Sequence, residues 1–420
     1  MASAGAVPNK KKTKSNNPSN LKRDRKKEIT AQGVSKGYTE KILTGPMDLP
    51  FFLIVMVLLV IGIIMMFSAG YAWAISEGNA GTFYVKRQLG MALVGLVGMF
   101  LVSFFDYHKY HKSWMAYGAY FGCIVLLMLC LWGPFISPHN GSYRWIKFPG
   151  VPEFQPSELM KMAVILLFAY LISINYNKNS SRMKQAKYGI YPFIFFLVLV
   201  AGLMMQQPHL SGTLIILIIG IVMMFVGGSK VKHLAVVGVI GAVALTAIVL
   251  YLMKVEGIEY FEKRIISWQS PFDADRDTTW QTRNSLIAIG SGGLFGLGLG
   301  NSRQKFLYLP ESKNDFVFAV VCEELGFIGA LVVILCFILL IWRGFIIASK
   351  APDKFGMMLA VGLVLQIGVQ ALLNIAVVTN TIPNTGVSLP FFSYGGTALI
   401  MQLVQMGIVL NISRQSPIET

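Results

Sequence analysis

Long apolar runs separated by short polar breaks dominate the chain. They lie near 50–74, 90–105, 114–135, 157–175, 190–206, 211–228, 233–253, 316–342, 355–379 and 393–412. Most approach the ~20 residues that a helix needs to cross the hydrocarbon core. Helical periodicity adds little, because a lipid-facing helix is apolar nearly all round. The pattern predicts an all-α polytopic membrane protein with ten transmembrane helices over 48–412, a tail at 1–47, a short tail at 413–420 and a large loop, 254–315, between spans 7 and 8.

Composition narrows the class further. Of 420 residues, 55% are hydrophobic and 13% charged, with mean hydropathy +0.60. A soluble domain carries ~25% charged residues. A soluble globular enzyme, a disordered chain and a coiled coil are all excluded.

Charge sets the expected orientation. Residues 1–41 hold eleven Lys or Arg against Asp24, Glu28 and Glu40, half of the net +16. A basic tail can bind nucleic acid, but one placed just before a first span holds that end in the cytoplasm, so no nucleic-acid partner is expected. Its polar, Ser- and Asn-rich composition predicts disorder. Further along, Lys109 and Lys112, then Lys178, Arg182, Lys184 and Lys187, then Lys230 and Lys232, then Arg343, Lys350 and Lys354, then Arg414 fall between alternate spans. This puts both termini inside a plasma membrane, with 136–156, 254–315 and 380–392 outward. Cys123, Cys130, Cys322 and Cys336 all lie in apolar runs without metal-ligand spacing and read as small core residues.

Three outward segments carry chemistry. Arg144 and Trp145 precede a stretch from Phe154 to Lys161, where Pro156 and Ser157 suit a helix start and Glu158 and Lys161 share a helix face. Gln206 to Thr213 joins two spans with almost no loop, so Gln207 and His209 must line a cavity or bond neighbours. Ser270 to Gly326 contains Asp273, Asp275 and Asp277, then Gln281, a glycine-rich run, Gln304, Glu311, Asp315 and the pair Glu323–Glu324 inside span 8. The glycines match no nucleotide-binding pattern and are better suited to close packing or close approach to a headgroup. Intramembrane carboxylates are candidate functional groups. Gln366, Gln370 and Asn374, four apart, predict a polar stripe on span 9.

These residues resemble the SEDS family (shape, elongation, division and sporulation; the FtsW, RodA and SpoVE group) over essentially 48–412. The resemblance rests on Arg144–Trp145, Gln155 to Glu158 with Lys161, Ala288 to Gly293, Gly298 to Gln304, Leu309 to Glu311, Asn314 to Phe316, Glu323 to Gly326 and Leu389 to Gly396. It implies a glycosyltransferase that polymerises lipid II at the outer leaflet, releases undecaprenyl pyrophosphate and works with a class B penicillin-binding protein and other divisome proteins. The basic tail and Ser68 to Tyr71 look more like the division branch, which implies the septum. Elongation and sporulation roles stay open.

The resemblance also implies site residues. Arg144 and Lys161, with Arg303 or Lys305 in reserve, would face the pyrophosphate, where a divalent cation, Mg2+ or Mn2+, could join them. Trp145, Gln155, Ser157, Glu158, Gln207, Gln281, Gly292, Gly293, Gln304, Asp315, Glu323, Glu324, Ser393, Gly395 and Gly396 complete the expected substrate surface. Two departures stand out. Gln207-Pro208-His209 lacks the family's Asp at its third position, and the family's essential loop Asp aligns with Ala274. Asp275, or else Asp273, is the expected base. A lipid flippase and a non-catalytic scaffold are the rival readings.

Overall fold

The computed structural model describes residues 45–133, 136–139, 142–147, 153–207, 210–239, 241 and 259–416. The predicted tail to residue 44, His209 and most of predicted span 7 lie outside them.

The membrane helices follow the apolar runs. They are α1 (Leu49–Ser76), α2 (Phe83–Phe104), α3 (Ser113–Trp132), α4 (Pro156–Lys178), α5 (Tyr191–Gln206) and α6 (Leu210–Val226). Residues 231–239 are helical and begin the seventh run. In the large loop lie α7 (Glu259–Gln269) and α8 (Arg276–Ser291), and α9 (Val317–Ser349), α10 (Lys354–Val378) and α11 (Gly396–Arg414) close the chain. Eight helices of the described chain are long and apolar enough to span a bilayer, counting the turn at 186–189 with α5, and α6 is a shorter apolar helix. The count of ten therefore rests on α6 and on the run that starts at 231.

Helix starts are set locally. Asp48 caps α1 by accepting from the Phe51 N–H at 3.0 Å, and Asp353 caps α10 through Gly356 N–H at 2.7 Å. Proline opens α1, α4 and α5, where its missing N–H costs nothing. Two spans differ from expectation. α2 begins seven residues before the predicted 90, because Lys86 and Arg87 ride on its first turn, with the Arg87 guanidinium 4.3 Å over the Phe83 ring. α9 runs on past 342 through Arg343, whose guanidinium pairs with Asp48 at 2.8 Å and so ties the end of α9 to the start of α1.

α4 is the central element. In its most apolar stretch 78% of residues are buried, against 28% in α2 and α9. It contacts α3, α6 and α10, while α2 packs along α11, and α9 along α10 and α1. The stripe on α10 bonds as expected: Gln370 to Lys161, Asn374 to the Asp315 carbonyl, and Gln366 to Gln405. Cys123, Cys130 and Cys322 are free and buried, and Cys336 is half-buried.

At one end of the bundle the Gly45 N–H bonds the Arg414 carbonyl at 2.7 Å, so both ends of the described chain meet there. The turns 107–110 and 182–184 and Asp353 share that end. The opposite end carries the loops. One holds a hairpin absent from the all-α expectation, β1 (Ile136–His139) against β2 (Ser142–Ile146), with Ser137 opposite Trp145. The α7–α8 pair of the large loop docks on the segment that ends α10 and follows it: Trp268 and Asn380 exchange side chain-to-carbonyl bonds, and Ser285 bonds the Val378 carbonyl.

Candidate functional site

Two polar assemblies sit at the loop-bearing end, and they differ in kind. The first is closed. α9 is interrupted at Gly326, whose φ of +69° breaks the helix, and the glycine-rich run after α8 wraps the break. A Cβ on Gly326 would overlap Gly296 N and Leu294 O, so only glycine lets the two backbones touch. Leu297 and Gly298 N–H groups bond the carbonyls of Glu323 and Glu324, each at 3.0 Å.

The two glutamates then hold the rest of that run. Glu323 accepts from Ser302 Oγ at 2.5 Å and Arg303 N–H at 2.9 Å, with longer contacts from Gln304 N–H. Glu324 accepts from Ser68 Oγ at 2.5 Å, Gly300 N–H at 2.9 Å, Ser302 N–H at 3.2 Å and Lys305 Nζ at 2.9 Å. Lys305 also donates to the Gly300 carbonyl at 2.6 Å. All these side chains are buried, and paired carboxylates of this kind are tolerable at depth. Glu323, Glu324, Lys305 and the backbone of Gln304, expected on a substrate surface, are thus occupied in fastening the loop. Gly292 packs on the Cys322 carbonyl in the same assembly, and Gly293 accepts from Phe327 N–H.

The second assembly is buried too, but several of its polar atoms lack partners among the described residues. Lys161 Nζ lies 2.8 Å from Glu158 and 2.9 Å from Gln370 Oε1, and Gln370 in turn donates to Ser388 Oγ and its carbonyl. Asn374 donates to the carbonyls of Asp315 and Val387 at 2.7 and 2.6 Å. Arg264 of α7 donates to the Asn384 carbonyl at 2.6 Å, and the Asn384 amide reaches Gln281 of α8 at 2.8 Å. Ser393 fixes the Asn314 carbonyl at 2.6 Å. Arg144 of β2 makes a long 3.4 Å contact to the Gln207 carbonyl, and Gln207 donates to Leu127 O at 2.8 Å.

Asp315 lies among these groups. Burial drives its carboxyl up to about 6; Glu311 adds to the rise, while Arg144 and Arg264 oppose it. Protein surrounds the carboxyl, yet the residue keeps some accessible surface. Its Oδ2 faces Gly386 so closely that a Cβ there would sit 3.2 Å away. Among the described residues, Ser157 Oγ, Asn314 Oδ1, Asn374 Oδ1 and Thr385 Oγ1 are buried without hydrogen-bond partners, which is costly unless something else meets them.

The remaining expected residues scatter. Trp145 is half-buried on β2, Gln155 precedes α4, and Gly395 and Gly396 start α11. Asp273 and Asp275 are exposed in the turn joining α7 to α8, and no hydrogen bond or ion pair to either carboxylate is seen among the described residues. Arg264, Asn384 and Gly386 were not anticipated. Arg264 lies in the polar first part of the large loop, and Asn384 and Gly386 lie in the short outward segment 380–392, where no pattern in the sequence marks them.

A separate apolar groove of about 400 Å³ lies between α1 and α9, lined by Ile61, Met65, Phe295, Leu299, Leu325 and Ile328.

Fold and site together define a multi-pass membrane protein with its polar chemistry gathered at one end of the bundle. The chain belongs to the SEDS family: the Cell cycle protein family of FtsW, RodA and SpoVE matches residues 49–418. It is 40% identical over 375 residues to stage V sporulation protein E of Bacillus subtilis, covering 89% of this chain and 98% of that one. It is 37% identical over 366 residues to a probable peptidoglycan glycosyltransferase FtsW of Geobacter sp. strain M18, covering 87% and 96%. Among solved structures it resembles a chain from work on structural coordination of polymerization and crosslinking by a peptidoglycan synthase complex (TM-score 0.69, 26% identity, 88% and 98% covered). The rod shape determining protein RodA of Thermus thermophilus superposes with TM-score 0.63 at 26% identity, covering 88% and 97%.

Proposed function

We propose that this chain is a peptidoglycan glycosyltransferase that polymerises lipid II, and that the second assembly is its active site. The observation that carries the assignment is the gathering of Arg144, Arg264 and Asp315 about one segment, residues 384–388, beside unsatisfied buried polar groups. The loop-bearing end faces outward and both termini lie in the cytoplasm, in keeping with the basic tail.

The reaction joins the acceptor sugar's 4-hydroxyl oxygen to the donor's anomeric carbon and breaks that carbon's bond to undecaprenyl pyrophosphate. Negative charge grows on the pyrophosphate, and fixed cations aimed at it lower the barrier. Arg144 and Arg264 supply that charge, with Lys161 held by Glu158 and Gln370 beneath them. Ser157, Trp145, Gln281 and Ser393 shape the surrounding wall. A carboxylate of this face takes the hydroxyl proton: Asp273 or Asp275 at the turn of the α7–α8 helical hairpin, or Asp315 before α9. The apolar groove between α1 and α9 suits a polyprenyl chain. Mg2+ or Mn2+, if it takes part, would bind by the pyrophosphate oxygens with at most one or two carboxylates of this face.

A class B penicillin-binding protein is the expected partner, and the division septum the expected place, because the relatives named above include an FtsW protein and a chain from a peptidoglycan synthase complex. The test is strand formation from lipid II by the purified protein, alone and with that partner. Binding of lipid II without strands would return the chain to the flippase or scaffold readings. Cysteines introduced at Lys147 and Ser181, both exposed and at opposite ends, test sidedness. Only the first is expected to label from outside intact cells.

A further inference from the structure

We infer that Asp315, immediately before α9, is the general base that takes the proton from the acceptor hydroxyl. This rests on the glycosyltransferase reading above.

Five acidic residues compete for the role on this end of the molecule, and their surroundings separate them. Glu323 and Glu324 are saturated: each accepts three or more hydrogen bonds, and Glu324 is ion-paired with Lys305 at 2.9 Å. Neither can accept a further proton without releasing the glycine-rich loop. The hairpin-turn acids have the opposite defect. Asp273 and Asp275 lie exposed, on either side of Ala274, with no group holding either carboxylate in place among the described residues. A base works through a fixed position within hydrogen-bond reach of the proton it removes, and water competes for an exposed, unheld carboxylate.

Of these five, Asp315 alone is both positioned and available. Its backbone is fastened by the Asn374 amide at 2.7 Å, and Ser393 fastens the neighbouring Asn314 carbonyl at 2.6 Å. Its carboxyl rests against Gly386, where the absence of a side chain leaves it room. Among the described residues no hydrogen bond is made to its carboxyl oxygens, so their lone pairs are open to an incoming hydroxyl. Among the described residues the charged groups acting on it are Glu311 from its own loop, Arg144 from β2 and Arg264 from α7. α10 presents only the neutral Asn374 and Gln370 nearby.

The balance is simple. The acceptor O–H gives its proton to an Asp315 carboxyl oxygen as its oxygen bonds the donor's anomeric carbon. The anomeric C–O bond breaks and its electron pair leaves on the pyrophosphate, opposite the two arginines. The proton passes to water as product leaves. Such a base works above its own pKa, and for Asp315 burial sets that near 6, a value poised for use at neutral pH.

The experiment is single-turnover strand formation from lipid II across pH 5–8, with lipid II binding measured in parallel, using the full chain with its partner. Asp315→Asn is expected to slow polymerisation by ~10²–10⁴-fold while lipid II binding changes less than about threefold, the range left to a lost neutral contact. The parent rate is expected to rise through about pH 6 and the residual Asn rate to be flat. Asp315→Glu keeps the carboxylate and should retain activity with a displaced acid limb, which separates base function from folding. Parent-like rates in Asp315→Asn, or an acid limb that Asp315→Glu leaves in place, overturn the inference. So does a loss confined to Asp273→Asn or Asp275→Asn, which would return the base to the hairpin turn. A parent that binds lipid II and makes no strands instead overturns the glycosyltransferase reading itself.

Discussion

Lys305 Nζ sits 2.9 Å from Glu324 Oε1, both side chains almost wholly buried, and Ser68 of α1 bonds both. The pair joins the glycine-rich loop, the upper part of α9 and α1 at a single point. Removing one member of a buried pair strands the other's charge, at a cost of ~3–5 kcal/mol. Lys305→Met is therefore expected to lower thermal stability in detergent sharply. The double variant Lys305→Met with Glu324→Gln should recover most of that loss. A double variant as unstable as the sum of the singles would argue that the ion pair is not what holds the loop.

Arg144 is expected to matter for chemistry more than for folding, since it stands on β2 at the loop-bearing end and its charge bears on the Asp315 carboxyl. Arg144→Ala should abolish strand formation with little change in melting temperature. Arg144→Lys should rescue it incompletely, because only the guanidinium can grip two phosphate oxygens at once. Full activity in the Ala variant would remove Arg144 from the site.

The glycines make different predictions according to what surrounds them. Gly326→Ala would force a Cβ into the backbone of Gly296 and Leu294 at a φ that side chains rarely adopt. Poor yield and an early melting transition are expected. Gly118 and Gly122 on α3 have nothing within reach of an added Cβ, and alanine there should be neutral or slightly stabilising. Equal behaviour at the three positions would contradict the close approach.

At the opposite end, His108 is clasped between Asp106 and Asp353, each at 2.8 Å. Burial lowers its pKa, but the two carboxylates outweigh burial and raise it to about 8. The raised value means that the folded state holds the proton more tightly than the unfolded chain. The stabilisation is thus complete below the ordinary value of about 6.5 and fades as pH climbs through 8. The parent should lose melting temperature from pH 6.5 to 8.5 relative to His108→Gln. Parallel curves for the two proteins would mean that the clasp contributes nothing.

Much of the bundle was legible because a membrane helix writes itself as an uninterrupted apolar run. The misjudged ends, at Lys86–Arg87 and at Arg343, are places where a cation continues a helix by finding an aromatic face or a carboxylate outside its own segment. The α7–α8 pair was hidden by its polar composition. At the site, side-chain identities were legible and partners were not. Glu323 and Glu324 announced themselves as intramembrane acids, but no local signal says that backbone N–H groups from residues 300–304 would quench them. Arg264 meets Asn384 across 120 positions of sequence, a distance over which no periodicity carries information.

The break at Gly326 also divides what α9 offers to its surroundings. Before it, Val317 to Glu324 are all sheathed in protein; after it, Phe327, Ile328, Leu331, Leu335, Ile338 and Trp342 stand bare. An acyl chain or a neighbouring helix can therefore run along α9 only up to the level of the kink. There Phe295 and Leu299 project over its path, as a sill projects over a wall. Any bilayer-embedded chain that follows this flank toward the loop-bearing end is turned aside at that height.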